Sequence, residues 1–310
     1  MNIKDFRWNE QKTVADFVTE LGTVGYQSIE LAKAAEVMVK MKRDGAKIYL
    51  TFTSNMVTSG LRGFFAQLIE LGVVDVVVTT VGGIEEDIMK AKGAQFQIGN
   101  FEQDDAELNE KGVNRVGNIL VKNEYYMQFE DLMKPIFKKL HTQKSRWTPS
   151  ELFTEIGKDL DDNNSILYQA AKKNIPIFCP AITDGAFGYH LYLYQQTNKD
   201  FVIDVVADFG KILFSSSHDD KKGVIALGGS ISKHHAILAT LLNGGAEYAV
   251  YMTTAHKSSG SMSGATTQEA KSWGKVKDDS DLATVIGDVT IMFPLAMCKA
   301  LNVMKHEKLV

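Results

Sequence analysis

The sequence predicts an α/β fold in which a mostly parallel sheet is covered by helices on both faces. Short β-branched apolar runs alternate with longer segments of helical period. Several runs are apolar almost throughout, as strands buried on both faces are. Beyond residue 175 the spacing is regular β-α-β.

In chain order, a helical period over 27–43 precedes the strand "KIYLTFT" (47–53), and a second over 57–71 precedes "VVDVVVTT" (73–80). Around 95–165 the pattern becomes more helical, with a helix over 124–140. Another helix opens at "TPSELFTEI", where Thr148 caps, Pro149 suits the first helical position and Glu151 completes a capping box. A helix over 165–173 leads to the strands "IPIFCPAI" (175–182), "FVIDVV" (201–206) and "GVIALGG" (223–229). A helix over 231–243, the strands "YAVYMTT" (248–254) and "ATVIG" (283–287), and a helix over 289–305 complete the pattern. With no proline-rich or serine-rich linker and no repeat, the expectation is one domain over 1–310 with a helical insertion around 95–165.

The 310 residues are 45% hydrophobic, enough for a large core. Lys+Arg 34 against Asp+Glu 38 gives a net charge of -4, so no bulk positive field draws the chain to nucleic acid or anionic lipid. Cys179 and Cys298 sit in apolar stretches and read as buried small hydrophobes of a reducing compartment. No run approaches ~18 apolar residues and the N-terminus has no apolar core of a signal peptide, so a cytoplasmic protein without membrane contact is expected.

Ligands of open parallel sheets sit at the carboxyl ends of the strands. Those ends here read "TSNMVTSG", "TTVGGIEED", "TDGAFG", "GGSISKHH", "TTAHKSSGSMSG" and Asp288. Rich in Gly, Ser and Thr, they suit the phosphates of a nucleotide; each alone reads first as an ordinary turn, and the case rests on all of them falling at strand ends. Neither GxGxxG nor GxxxxGK[ST] is present. His234 and His235 are neighbours and project ~100° apart on a helix, so at most one faces the strand ends. It serves either as general base or as a structural helix-start histidine. No metal spacing is present, and no metal is expected. Lys275, after Trp273 and Gly274, reads either as surface charge or as a nucleophile.

Larger blocks make the pattern specific: "LGTVGYQSIELAKA" (21–34), "FTSNMVTSGLR", "VDVVVTTVGGIEED", "IPIFCPAITDGAFG", "ALGGSISKHHAILATLLNGGAEYAVYMTTA" and "SGATTQEAKSWGK". With "KHH" and "EAxSWGK" in this order, the chain resembles the deoxyhypusine synthase family over most of its length. The resemblance implies a Rossmann-like, NAD-binding sheet, no metal, and a homotetramer whose active sites are shared across a subunit interface. In that family NAD accepts a hydride from spermidine, 1,3-diaminopropane leaves, and the lysine of the SWGK block holds the four-carbon fragment as an imine. A lysine of the hypusine-bearing translation factor then takes the fragment, and the hydride returns.

By this resemblance Lys275 is the imine lysine and His234 the proton acceptor. Trp273 lies along polyamine methylenes, and Glu269, four residues before it, anchors an ammonium from a shared helical face. Imine formation needs a neutral amine, whereas a free lysine titrates near ~10.4, so exclusion of water by Trp273 is expected to favour the neutral form. Asn55, Thr58, Thr80, Glu86, Asp184, Gly228, Gly229, Thr254, Ala255 and Asp288 fall where the family contacts NAD. Acids such as Asp288 or Glu86 suit ribose hydroxyls and would repel a 2′-phosphate.

Two departures bear on the substrate. Where spermidine-using members carry aspartates that hold cationic nitrogens, this chain has Tyr189 and Met262, and Ser230 replaces the last glycine of a GGG run. Losing a charge-assisted hydrogen bond costs about 1.5–3 kcal/mol. Deoxyhypusine synthase, with Glu86, Glu269 or rearranged neighbours covering the missing charges, is the leading expectation. A divergent enzyme with another amine donor or acceptor, such as a homospermidine synthase, and a non-catalytic NAD- or partner-binding relative are the alternatives.

Overall fold

Lys47–Phe52 and Lys222–Leu227 pair in parallel, with Lys47 opposite Lys222 and Phe52 opposite Leu227, and form the middle of the main sheet. The computed structural model describes residues 2–310, in two units. The first comprises the chain through Phe52, 71–78 and 210–310; the second comprises 53–70 and 79–209.

In the first unit the strands run in the order Val276–Ile286, Ala246–Thr253, Lys222–Leu227, Lys47–Phe52, Val76–Thr79. All six residues of Lys222–Leu227 are buried, the consequence of an apolar run covered on both faces. Its one charged member, Lys222, donates from Nζ to the Ser217 and Asp220 carbonyls. Gln27–Arg43 packs on Val276–Ile286 and on Val289–His306, while Ser230–Leu242 packs on Lys222–Leu227 and Lys47–Phe52. Tyr49, Phe52, Val224, Ala249 and Phe293 are fully buried here; each large apolar side chain contributes about 1.5–3 kcal/mol.

The second unit joins the helices Arg62–Glu70, Val81–Ala91, Asn123–Gln143, Pro149–Lys158, Ile166–Lys173 and Ala186–Thr197 to a three-stranded antiparallel sheet of Gln97–Ile98, Ile119–Lys122 and Val113–Val116. Thr148 and Glu151 form the expected capping box. Buried Asp87 receives Arg62 Nε at 2.5 Å, Ser165 Oγ at 2.9 Å and the Leu167 N–H at 2.9 Å. One carboxylate thereby caps Ile166–Lys173 and neutralises a buried guanidinium.

Several expected elements differ. The helix over 57–71 is two, Ser54–Thr58 and Arg62–Glu70, parted where Gly60 takes φ 101. The strand over 175–182 shrinks to Ile177–Phe178, because Pro176 and Pro180 have no N–H to donate. The strand over 201–206 survives only as Val202–Ile203. Asp204 Oδ1 accepts the Ala207 N–H at 2.8 Å and starts the helix Val205–Leu213 instead. Cys179 is buried and its thiol is pushed up to about 12. Cys298, expected to be buried, is exposed: it lies a helical step of ~100° from the buried Met297 and Lys299 on either side.

Candidate active site

The buried strand Lys222–Leu227 ends in Gly228, with φ 80, and the next helix begins at Ser230, with φ 63. Between them Gly229 is required by close packing, since a Cβ there would stand 2.1 Å from Ser263 Oγ. Ser230 holds a left-handed conformation that glycine adopts without strain, so replacement of the glycine has a conformational cost as well as a chemical one.

The helix Ser230–Leu242 then sends Lys233, His234 and Ile237 into the wall of a cavity of ≈ 170 Å³. His235 does not line it; burial, then the neighbouring His234, press its imidazole down to about 4. The adjacent strand Ala246–Thr253 contributes Tyr251, whose hydroxyl is buried with no hydrogen-bond partner among the described residues. Met262, Glu269, Trp273 and Lys275 complete the chemically distinctive lining.

The segment carrying Lys275 is fixed through its backbone. The Lys275 N–H donates to the Ala270 carbonyl at 3.0 Å, and the Lys275 carbonyl accepts from the Ala246 N–H at 3.0 Å. Gly274, at φ 67, ends the preceding 3-10 helix in the left-handed region. Lys275 Nζ comes to rest 5.1 Å from the centre of the Trp273 ring. Glu269–Trp273 is a 3-10 helix rather than an α-helix, so Glu269 and Trp273 do not share the face that a four-residue α-helical spacing gives; both nevertheless line the cavity. The Trp273 side chain remains 63% exposed, so within one chain it does not exclude water from Lys275.

A lysine of this cavity escaped the sequence reading. Lys233 is 4% exposed; its Nζ donates to the Ala265 carbonyl at 2.9 Å and sits 4.1 Å from the centre of the Tyr251 ring. Burial first, then the like charge of Lys275, lower it to about 8, while Glu269 opposes the shift. Lys233 lies one step from His234 on a helix where Ser232, Ala236 and Ile237 are also buried, a burial that the lysine's own sequence neighbourhood does not mark.

Gly228, Thr254, Ala255 and Asp288 fall on one row at the carboxyl ends of adjacent parallel strands. Leu227 is opposite Met252, Met252 is opposite Val285, and the Gly287 N–H donates to the Thr253 carbonyl. Asp288 caps the helix Val289–His306 through Oδ1, which accepts the Thr290 N–H at 2.8 Å. Thr254 and Asp288 are exposed. Backbone amides, a hydroxyl and a carboxylate in a row suit the phosphate and ribose groups of a dinucleotide.

Asn55, Thr58, Thr80, Glu86, Asp184 and Tyr189 stand in the second unit. Thr58 Oγ1 donates to Glu86 at 2.6 Å, and Thr80 Oγ1 accepts the Ser54 N–H at 3.0 Å. Burial raises Glu86 to about 7, against the opposing effects of Thr58 and Lys90. Asn55 and Asp184 are exposed, as is Tyr189 on the helix Ala186–Thr197. Beside them Glu85, also missed, accepts the Phe187 N–H at 2.9 Å at the start of that helix. Among the described residues no His, Cys, Asp or Glu group is placed to hold a metal ion, and no helix is long and apolar enough to cross a membrane.

The deoxyhypusine synthase family model matches residues 16–300. A deoxyhypusine synthase of Senecio vernalis is 43% identical over 267 residues, covering 84% of this chain and 72% of the relative. A probable deoxyhypusine synthase of Schizosaccharomyces pombe is 40% identical over 300 residues, covering 91% and 85%. The crystal structure of a protein assigned as deoxyhypusine synthase in Entamoeba histolytica superposes with a TM-score of 0.71 at 30% identity, over 97% of each chain.

Proposed function

Because the chain belongs to the deoxyhypusine synthase family, a family of transferases, we propose that it moves an aminobutyl group from spermidine, by way of an imine on Lys275, to a lysine of a hypusine-bearing translation factor. The carrying observation is that Lys275, Trp273, His234 and Glu269 line one cavity.

When bound, NAD supplies the acceptance and return of hydride. Gly228, Gly229, Thr254, Ala255 and Asp288 are the first-unit residues that hold it in this reading, and the second-unit residues matched to the family's cofactor contacts are Asn55, Thr58, Thr80, Glu86 and Asp184. His234 takes the proton released as the donor amine is oxidised. The neutral Lys275 amine adds to the resulting carbon–nitrogen double bond and expels 1,3-diaminopropane, leaving the four-carbon fragment on Nζ. Glu269 pairs with the fragment's terminal ammonium. Attack by the acceptor lysine releases Lys275 unchanged.

Two features support a second reading with a different amine donor or acceptor: Met262 at the cavity and Tyr189 on its helix are uncharged. The sites are shared between copies of the chain in the homotetramer proposed here, which would cover the exposed Trp273. The test is borohydride trapping after incubation with NAD and spermidine, followed by peptide mapping. An aminobutyl adduct on Lys275 is expected. Adduct from putrescine or homospermidine alone would favour the second reading, and none from any amine would count against imine chemistry.

A further inference from the structure

The helix Val81–Ala91 carries a lysine that the proposed mechanism does not use. Lys90 Nζ donates to the Val57 carbonyl at 2.6 Å and to the Thr58 carbonyl at 3.2 Å, and it sits 4.4 Å from the centre of the Phe96 ring. Those carbonyls close the short helix Ser54–Thr58, and the last carbonyls of a helix lack partners within it. The ammonium therefore fixes the turn that carries Asn55 and Thr58.

The same lysine stands four residues after Glu86, the spacing and order that suit an ion pair on one helical face. Thr58 Oγ1 donates to both Glu86 oxygens, at 2.8 and 2.6 Å. The three residues thus close a triangle. The ammonium holds the Thr58 main chain, the Thr58 hydroxyl holds the carboxylate, and the two charges attract each other. Glu86 is 8% exposed, and burial raises it to about 7 while Thr58 and Lys90 oppose the shift. Its charge at neutral pH therefore depends on its neighbours.

Those neighbours divide by sign. Glu85, on the same helix, raises Glu86 further. Tyr126, from the helix Asn123–Gln143, is pushed up to about 12 by burial and stays neutral. Arg62 and Asp87 act on Lys90 with opposite signs and are paired with each other at 2.5 Å. The Ser165 hydroxyl and the Leu167 N–H go to Asp87, and the Phe187 N–H goes to Glu85. Lys90 is the cation that favours the ionised form of Glu86.

We propose that Lys90 is a positioning residue for the cofactor: it sets the turn of Thr58 and keeps Glu86 an anion, so that the carboxylate accepts a ribose hydroxyl of NAD. This inference rests on the reading of Glu86 as a cofactor contact. A carboxylate accepts such a hydroxyl in a charge-assisted bond that the protonated acid does not match.

The test is calorimetric titration with NAD across about pH 6–9. The unaltered protein is expected to bind NAD about tenfold more weakly once Glu86 is protonated, with a midpoint at about 7. Lys90→Gln still donates to the Val57 and Thr58 carbonyls but carries no charge, and it should move that midpoint up by about one pH unit. Lys90→Arg keeps the charge and should keep the midpoint. Glu86→Gln should remove the transition. Thermal melts without NAD supply a readout independent of the cofactor: the fall in stability that accompanies Glu86 ionisation should extend to higher pH in Lys90→Gln. A midpoint unmoved in Lys90→Gln, with the transition still abolished by Glu86→Gln, would overturn the role of Lys90 and leave the cofactor contact standing. NAD binding without any transition that Glu86→Gln removes would refute the Glu86 contact, and the proposal with it.

Discussion

The Lys233 ammonium lies 4.1 Å from the centre of the Tyr251 ring, inside the cavity that also receives Lys275. Two lysines share one small site, and the one closer to the sheet is the more deeply buried. Its low pKa has the same origin as the catalytic tuning of other lysines, desolvation reinforced by a neighbouring cation.

Lys233→Met should raise stability at neutral pH and leave it nearly unchanged above pH ~10.4. The folded group titrates at about 8 and a free lysine near ~10.4. Between those values the unfolded chain binds the extra proton, so stability rises with pH across that window. Below about 8 the burial penalty is present in full, at most about 3 kcal/mol. Chemical denaturation at pH 7 and at pH 10 should show the gain only at the lower pH; equal effects at both would mean that the ammonium is not strained.

Glu86→Gln is expected to stabilise the protein at pH 8 but not at pH 4. The carboxyl is raised to about 7 from a free value near ~4.3, so below ~4.3 both states are protonated and the substitution is neutral. As pH climbs to about 7, the unfolded chain releases its proton first and stability falls. The difference reaches at most about 3 kcal/mol, and glutamine still accepts from Thr58. A pH-independent effect, measured by thermal melts across this range, would contradict the buried-carboxyl origin.

Ser230→Gly should stabilise the protein by about 1 kcal/mol, because φ 63 strains a residue with a Cβ. The contact from the Ser230 N–H to Ser263 Oγ at 3.4 Å involves backbone and survives the change. A lower melting temperature in the variant would mean that the serine side chain contributes more than its backbone loses.

How much of this was legible depended on whether the signal was local. The strands "KIYLTFT" and "GVIALGG" could be read because burial on both faces leaves an uninterrupted apolar run. "IPIFCPAI" is equally apolar, but Pro176 and Pro180 break its ladder, a local signal that hydrophobicity outweighed. Lys275 and His234 were found through block resemblance. Lys233 was not, because its burial depends on the Ala265 carbonyl, 32 positions away, and a lysine in isolation reads as solvated. The 3-10 form of Glu269–Trp273 was likewise hidden, since 3-10 and α-helical turns draw on the same residues and differ through tertiary constraints such as the Lys275 to Ala270 bond.

Lys275→Ala should abolish the trapped adduct while leaving the fold and NAD binding largely intact. Both hydrogen bonds that place residue 275, to Ala270 and from Ala246, use main-chain atoms and persist with alanine, so loss of capture in a folded variant isolates the amine. Calorimetric titration with NAD checks binding, and mass spectrometry after borohydride checks capture. The second lysine makes the mapping informative. With Lys233 titrating at about 8 in the same cavity, an adduct that moved to it would assign imine chemistry to the lysine pair. Undiminished turnover without an adduct on either lysine would remove the imine from the mechanism.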